Sequence, residues 1–517
     1  MIDINNAAKQ SYDELKKRHL DYICKNFSTC HLNLASDWTL ERLPTDVRLK
    51  DAATQADPGL DALYFQYGRW LLFAASRPGS LPANLQGIWN DSFFPPWDSK
   101  FTININTEMN YWPAAVCGLA SCEEPLFDLL ARMVPNGQHT AQEMYGCRGF
   151  VAHHNTDLWG DTDPQDRYLP ASFWPMGAAW LCTHIWRYYL YSCDVQFLRS
   201  RFTILEQAVL FFIDFLEQDE DGFYVTNPSV SPENTYILPS GVHGNLCIGS
   251  TMDMQILHEL FAGYLVAAAE LDVSNETTHE AATILPKLRP MRIGKDGRLL
   301  EWGGEYGEVE PGHRHISHLY ALAPGNEIST LATPKWADAA RKTLEYRLAN
   351  GGGYTGWSRA WIALFWVRLG EGSKWEECLR ELYANSTFPN LMDNHPSKHG
   401  PVFQIDGNSG MLAAMAECLV QIIYEGMKPQ AVSLLPALPP SWQSGSVMGL
   451  RLPGGASADI LWEKGILLKT TLHATAPWRM RLHYANIDAE IELFAGQSVT
   501  LNTALQTIDS SKSTTVI

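Results

Sequence analysis

Residues 62–76, Ala-Leu-Tyr-Phe-Gln-Tyr-Gly-Arg-Trp-Leu-Leu-Phe-Ala-Ala-Ser, are apolar on nearly every face of a helical wheel. A helix of that kind has to be buried all round, which predicts an inner helix. Similar stretches recur at 172–192, 203–217, 252–271, 335–349, 357–369, 373–384 and 409–425. Pro-Gly at 78–79 and 324–325 and Gly-Gly-Gly at 351–353 punctuate the gaps between them. No short repeat is evident, so a regular solenoid is not expected. A body built from antiparallel helix pairs on this scale closes best as an α/α toroid.

After about residue 428 the texture changes. Leu-Leu-Pro-Ala-Leu-Pro-Pro-Ser-Trp reads as a linker, and 458–462, 466–472 and 489–494 alternate with a period of two, as antiparallel strands do. The expected organisation is a helical linker segment at 1–40, an α/α barrel at 41–428 and a small β-rich domain at 429–517. The last eight residues, 510–517, are expected to fray.

Between residues 81 and 113 the chain carries a dense run of carboxamides and indoles, including Asn84, Gln86, Trp89, Asn104, Asn106, Asn110 and Trp112. Carboxamides donate and accept at once, which matches hydroxyl groups, and indoles stack on the C–H face of a pyranose. A neutral oligosaccharide or glycan fits that lining. The net charge of −18 argues against nucleic acid and anionic membrane as partners. Hydrophobic residues at 46% allow a large core, and no apolar run approaches a membrane span. The first residues, Met-Ile-Asp-Ile-Asn-Asn, have neither the charged start nor the apolar stretch of a signal peptide. A soluble chain is expected, with its compartment unassigned. Ten cysteines form no CxxC pair and no zinc spacing; several lie inside apolar helical runs, and a disulfide between two of them stays open.

Two acidic residues stand among these polar motifs. Glu233 lies in Ser231-Pro232-Glu233-Asn234, which also reads as a helix start with a Ser cap and Pro in the first turn. Asp406, in Phe403-Gln404-Ile405-Asp406-Gly407-Asn408, also reads as a turn or as a cap of the apolar helix that follows. Asn104 and Asn106 alternate, so on an extended segment both side chains point to one side. The histidine groups, His153-His154-Asn155, His313-Arg314-His315 with His318, and His395 or His399, show no metalloprotease motif, and His313 and His315 stand too scattered from acidic partners for a ligand set. They read as satisfied histidines in a polar network, with no metal. Nor is there a Walker loop, a dinucleotide fingerprint or a nucleophile elbow.

Taken together, Pro-Ala-Asn-Leu-Gln-Gly-Ile-Trp, Asn-Ile-Asn-Thr-Glu-Met-Asn-Tyr-Trp-Pro, Ser-Pro-Glu-Asn, Gly-His-Arg-His-Ile-Ser-His-Leu-Tyr, Thr-Gly-Trp-Ser-Arg-Ala-Trp and Phe-Gln-Ile-Asp-Gly-Asn resemble glycoside hydrolase family 95. This is a family of inverting α-L-fucosidases and related α-L-galactosidases. The motifs run in family order across residues 10 to 450. The resemblance implies an (α/α)6 barrel that releases terminal α-L-fucose, α-1,2-linked for preference, or α-L-galactose. Glu233 matches the general acid, and Asn106, with Asn104, the group that positions the water, while Asp406 polarises it. Arg314 and His315 match residues that hold the sugar, and His154, Asn155 and Trp174 lie in pocket-lining motifs. No cofactor is implied. Acid catalysis requires a protonated Glu233, which predicts desolvation or a nearby negative charge around it. A carboxamide is a poor base, so Asp406 is read as the ultimate base and Asn106 as the positioning group.

Departures from the family pattern carry their own expectations. Family members usually bear a large N-terminal β-sandwich; this chain starts in what resembles the helical linker that follows it, so a covering domain or partner chain is expected over the barrel flank. Thr102 stands where the fucosidase pattern commonly has His, which leaves room for the hydroxymethyl of L-galactose. The stretch His395-Pro-Ser-Lys-His399-Gly-Pro-Val carries an insertion, so either histidine could take the family's place in the pocket, with His399 one candidate. Ser409 replaces a larger apolar residue. Two further readings stay open: a catalytically impaired sugar-binding protein, and another toroid enzyme such as a phosphorylase or lyase.

Overall fold

The computed structural model describes residues 2–397 and 400–508. The expected fraying of 510–517 and the candidate His399 lie outside the described residues.

Among the described residues, six outer helices alternate with six inner segments. The outer ones are Pro58–Ala75, Glu124–Thr140, Val195–Phe215, Glu276–Ile284, Pro334–Ala349 and Gly372–Asn385. The inner ones are Asn106–Tyr111, Gly177–Ser192, Thr251–Glu270, the short 3-10 turn Ser317–Leu319, Gly356–Arg368 and Ile405–Glu417. The ring closes where Ile405–Glu417 packs on both Asn106–Tyr111 and Gly356–Arg368. This is the expected (α/α)6 toroid. The two inner helices at the closure are apolar or small on nearly every face because almost none of either meets water: Ile405–Ala416 are all buried, as are Gly356–Val367 apart from Arg359. Local signals set the helix starts. Asp57, Asp194, Ser250 and Thr355 each accept a hydrogen bond from a first-turn N–H, a cap that contributes about 1 kcal/mol.

Three element readings need correction. Of the apolar stretches read alike as inner, 203–217, 335–349 and 373–384 belong to outer helices, and so does the first. Its Leu63 and Trp70 reach the surface, and the N-terminal helix Tyr12–Phe27 leans on it through Phe27 against Trp70 and Tyr22 against Phe73. The run 409–425 divides into the inner helix Ile405–Glu417 and the strand Val420–Glu425, where β-branched Val420, Ile422 and Ile423 favour an extended backbone. The outer helices Glu124–Thr140 and Glu276–Ile284 escaped notice because one contains Pro135 and the other is mostly polar.

The C-terminal region forms two sheets. One runs His31–Leu34, Gly445–Leu452, Ala456–Glu463, Ile466–Ala474 and Ser498–Asn502; the other runs Val420–Glu425, Lys428–Leu434, Trp478–Tyr484 and Ile487–Leu493. The N-terminal strand pairs antiparallel with Gly445–Leu452, so the two ends of the chain share a sheet. The buried guanidinium of Arg69 ties this joint to the barrel, donating to the carbonyls of Phe27, Cys30 and Cys117. All ten cysteines are free, and among the described residues no helix is long and apolar enough to cross a membrane.

Candidate active site

The segment Thr102–Asn106 organises one end of the barrel. Phe101 and Thr102 pair with Asn155 and Thr156 in a two-residue ladder, the chain then turns, and Asn106 opens an inner helix. Ile103 and Ile105 are fully buried and pin the turn. Because the backbone turns here, Asn104 and Asn106 do not share a side, contrary to the extended-segment reading. The Nδ2 of Asn104 donates to Glu233 Oε1 at 3.0 Å, and that of Asn106 donates to Asp406 Oδ2. One tripeptide therefore serves two different carboxylates.

Glu233 is not a helix start, since no helix follows it and the next element is the short strand Tyr236–Ile237. Its side chain is 13% exposed and makes an ion pair of 2.6 Å with Arg314, and His315 Nε2 stands 3.5 Å from Oε1. Of the two settings expected around it, desolvation or a nearby negative charge, the second is not among these contacts, which are a guanidinium, a carboxamide and an imidazole. Burial, followed by the charge of Arg314, holds His315 well below the usual histidine range, so that imidazole is neutral.

Asp406 sits in the first turn of Ile405–Glu417 with no exposed surface. Its Oδ1 accepts from the Gly407 N–H at 2.8 Å. Burial pushes its carboxyl up to about 7, against the opposing pull of the Asn106 hydrogen bond. Beside it lies a residue that the sequence reading missed, Asp393. Its carboxyl packs so tightly on Gly407 and Gly356 that a Cβ at those glycines would stand 2.2 Å from Cγ and 1.7 Å from Oδ1. Both Asp393 oxygens are buried without a hydrogen bond. Burial and then the proximity of Asp406 push Asp393 well above the carboxylate range. Two carboxyls in so dry a place resist ionising together. The Asp393 N–H donates to Asn408, whose amide in turn donates to Tyr64 and to the Leu391 carbonyl. An acid two residues before His395, ahead of the Asp-Gly pair, was the available signal.

A cavity of about 480 Å³ opens over these groups. Of the expected residues, Thr102, Asn106, His154, Asn155, Glu233, Arg314 and His315 line it. Asn104 lies behind, reaching it through Glu233. Trp174 does not line it: the indole is buried, donates to Asp253 at 2.9 Å and packs edge-on against Trp180. His395 lines the cavity and meets Trp97 edge-on at 5.2 Å. The sequence reading did not single out Trp97 and Tyr168, which with Tyr354 form a half-exposed aromatic rim. Trp97, Asp98 and Ser99 have φ of 52°, 56° and 48°, three consecutive residues in the left-handed region, which non-glycine residues seldom occupy in a row. Burial keeps His154 below its usual range, and Nε2 bonds the Asn155 amide at 2.7 Å. Among the described residues no group of three or more His, Cys, Asp or Glu side chains could hold a metal ion.

The glycosyl hydrolase family 95 catalytic domain matches residues 11–419, and the family's C-terminal domain matches 428–514. "Alpha-L-fucosidase 2" of Arabidopsis thaliana is 38% identical over 527 residues, covering 98% of this chain and 61% of that protein. "Probable alpha-fucosidase A" of Aspergillus niger is 34% identical over 478 residues, covering 88% of this chain and 59% of that protein. The chain thus spans about three fifths of the length of these relatives. A solved structure from the human microbiome, named for kojibiose phosphorylase, superimposes with a TM-score of 0.63 at 9% identity, over 96% of this chain and 71% of its own. That likeness concerns the fold alone.

Proposed function

The chain belongs to glycoside hydrolase family 95, and from that membership we propose that it is an inverting exo-glycosidase releasing terminal α-L-fucose, or α-L-galactose, from a neutral oligosaccharide. The observation that carries the reading is the Asn104–Asn106 tripeptide, which hands one carboxamide to Glu233 and the other to Asp406 at the edge of a sugar-sized cavity.

Inversion needs an acid beside the leaving oxygen and a base-assisted water on the opposite face of the ring. Glu233 supplies the proton. Asn104 orients its carboxyl, and Arg314 exchanges the carboxylate for sugar hydroxyls when substrate enters and expels water. On the other side Asp406, fully buried, meets the water only through Asn106. An ionised carboxylate can only accept, so Asn106 must present its N–H to Asp406. That leaves its carbonyl oxygen to take a hydrogen bond from a water in the cavity. The proton leaves that water along the amide toward Asp406. His315, neutral, and His154 and Asn155 offer hydrogen bonds to hydroxyls of the bound sugar. The linkage to the next residue, α-1,2 for preference, lies on the Glu233 side, where Tyr168 and Tyr354 offer faces to the leaving group.

The test is incubation with 2′-fucosyllactose and chromatography for free monosaccharide, with Glu233→Ala as control. Release by the parent and loss of release in the variant support the proposal. Tight sugar binding without release by either protein would favour a sugar-binding role instead.

A further inference from the structure

Glu301 and Arg347 form an ion pair outside the cavity, nearly without exposed surface. Burying two charges is a poor route to stability, because their desolvation offsets their attraction, so a buried pair invites the question of what it fixes. Here its contacts fall on two functional segments at once. Glu301 Oε1 accepts from Ser231 Oγ at 2.8 Å and Oε2 accepts from Asn234 Nδ2 at 3.3 Å, bracketing Glu233 on both sides. Arg347 donates to Glu301 with one nitrogen and with another to the carbonyls of Glu310 and Pro311, at 3.2 and 3.3 Å, just before Arg314. Glu308 closes the ring, 2.9 Å from Arg347 and 3.4 Å from Asn234. Both residues stand on rigid supports. The Glu301 carbonyl accepts from the Thr251 N–H at the start of an inner helix, and Arg347 lies in the last turn of the outer helix Pro334–Ala349.

We propose that Glu301 and Arg347 are positioning residues that lock the segment carrying Glu233 and the segment carrying Arg314 in one register, so that the acid's carboxyl meets the glycosidic oxygen. This rests on the reading of Glu233 as the general acid. Nothing in the pair touches substrate; it acts through the two segments.

A substrate pair separates this from a merely structural role. α-L-Fucosyl fluoride leaves with little proton assistance, whereas 2′-fucosyllactose needs the acid. In Glu301→Gln, kcat on 2′-fucosyllactose should fall by about 10–100-fold, the usual loss on removing a supporting contact, while kcat on the fluoride holds. An equal fall on both substrates, or no fall on either, overturns the proposal. Thermal unfolding is followed in parallel. If Glu301→Gln does not fold, Ser231→Ala, which removes one bond to the acid's segment and keeps the ion pair, decides by the same substrate split. Wild-type protein inert toward both substrates would overturn the hydrolase reading itself, and this inference with it.

Discussion

The carboxyl of Asp393 packs against Gly407, the residue that follows Asp406, so that two fully buried carboxyl groups stand at one point of the barrel. Burial lifts Asp406 to about 7, and lifts Asp393 well above the ordinary range. An unfolded aspartate titrates near ~3.9. The folded state therefore holds more protons than the unfolded state above that value, and stability falls as pH rises toward the folded values. Asp393→Asn removes its own share of that loss. We predict that its melting temperature exceeds wild type at pH 8 and that the gain shrinks toward pH 4. A difference independent of pH would contradict this.

The same lift sets a pH dependence of rate. A base has to be ionised, so kcat/KM should decline as pH drops below about 7, by about tenfold per unit. α-L-Fucosyl fluoride is the substrate of choice, since it leaves the acid limb to the base alone. Asp406→Asn should lose about 10²–10⁴ of the rate at neutral pH. A profile flat down to pH 5 would remove Asp406 from the role.

In the proposed mechanism Asn104 and Asn106 serve opposite sides of the sugar, so their alanine variants should differ in kind. Asn106→Ala is predicted to slow every substrate, the fluoride included, because the water loses its guide. Asn104→Ala is predicted to slow 2′-fucosyllactose by about 10–100-fold and to spare the fluoride. Identical substrate profiles for the two variants would refute the division of labour drawn from their hydrogen bonds.

Thr102 lines the cavity with a short side chain. The wild-type protein is predicted to hydrolyse aryl α-L-galactoside at a rate comparable with aryl α-L-fucoside, and Thr102→His to shift the ratio toward fucoside. A strong fucoside preference left unchanged by the substitution would dispose of the idea.

Much of the barrel was legible because inner helices need apolar residues on every side, and few other folds leave that trace in a sequence. Outer helices were harder: Glu276–Ile284 is short and polar, and the apolar Pro58–Ala75 looked like an inner helix because the Tyr12–Phe27 helix covers part of its outer face. In the site, residue types pointed to Glu233, Asp406 and the two asparagines, but direction was not legible. A turn at residues 103–105 sends alternating side chains apart, which periodicity read as sending them together. Asp393 went unnoticed because its significance lies in two glycines far apart in sequence, and Trp174 drew notice by motif alone while its indole faces Asp253.

In the proposed mechanism a proton donor at Glu233 and a buried base at Asp406 act from opposite faces of one sugar ring. Proton NMR of the first sugar released from an aryl α-L-fucoside tests it most directly, before mutarotation mixes the anomers. β-L-Fucose should appear first. Initial release of the α-anomer would mean retention, and would contradict the arrangement of acid, water and base derived from these residues.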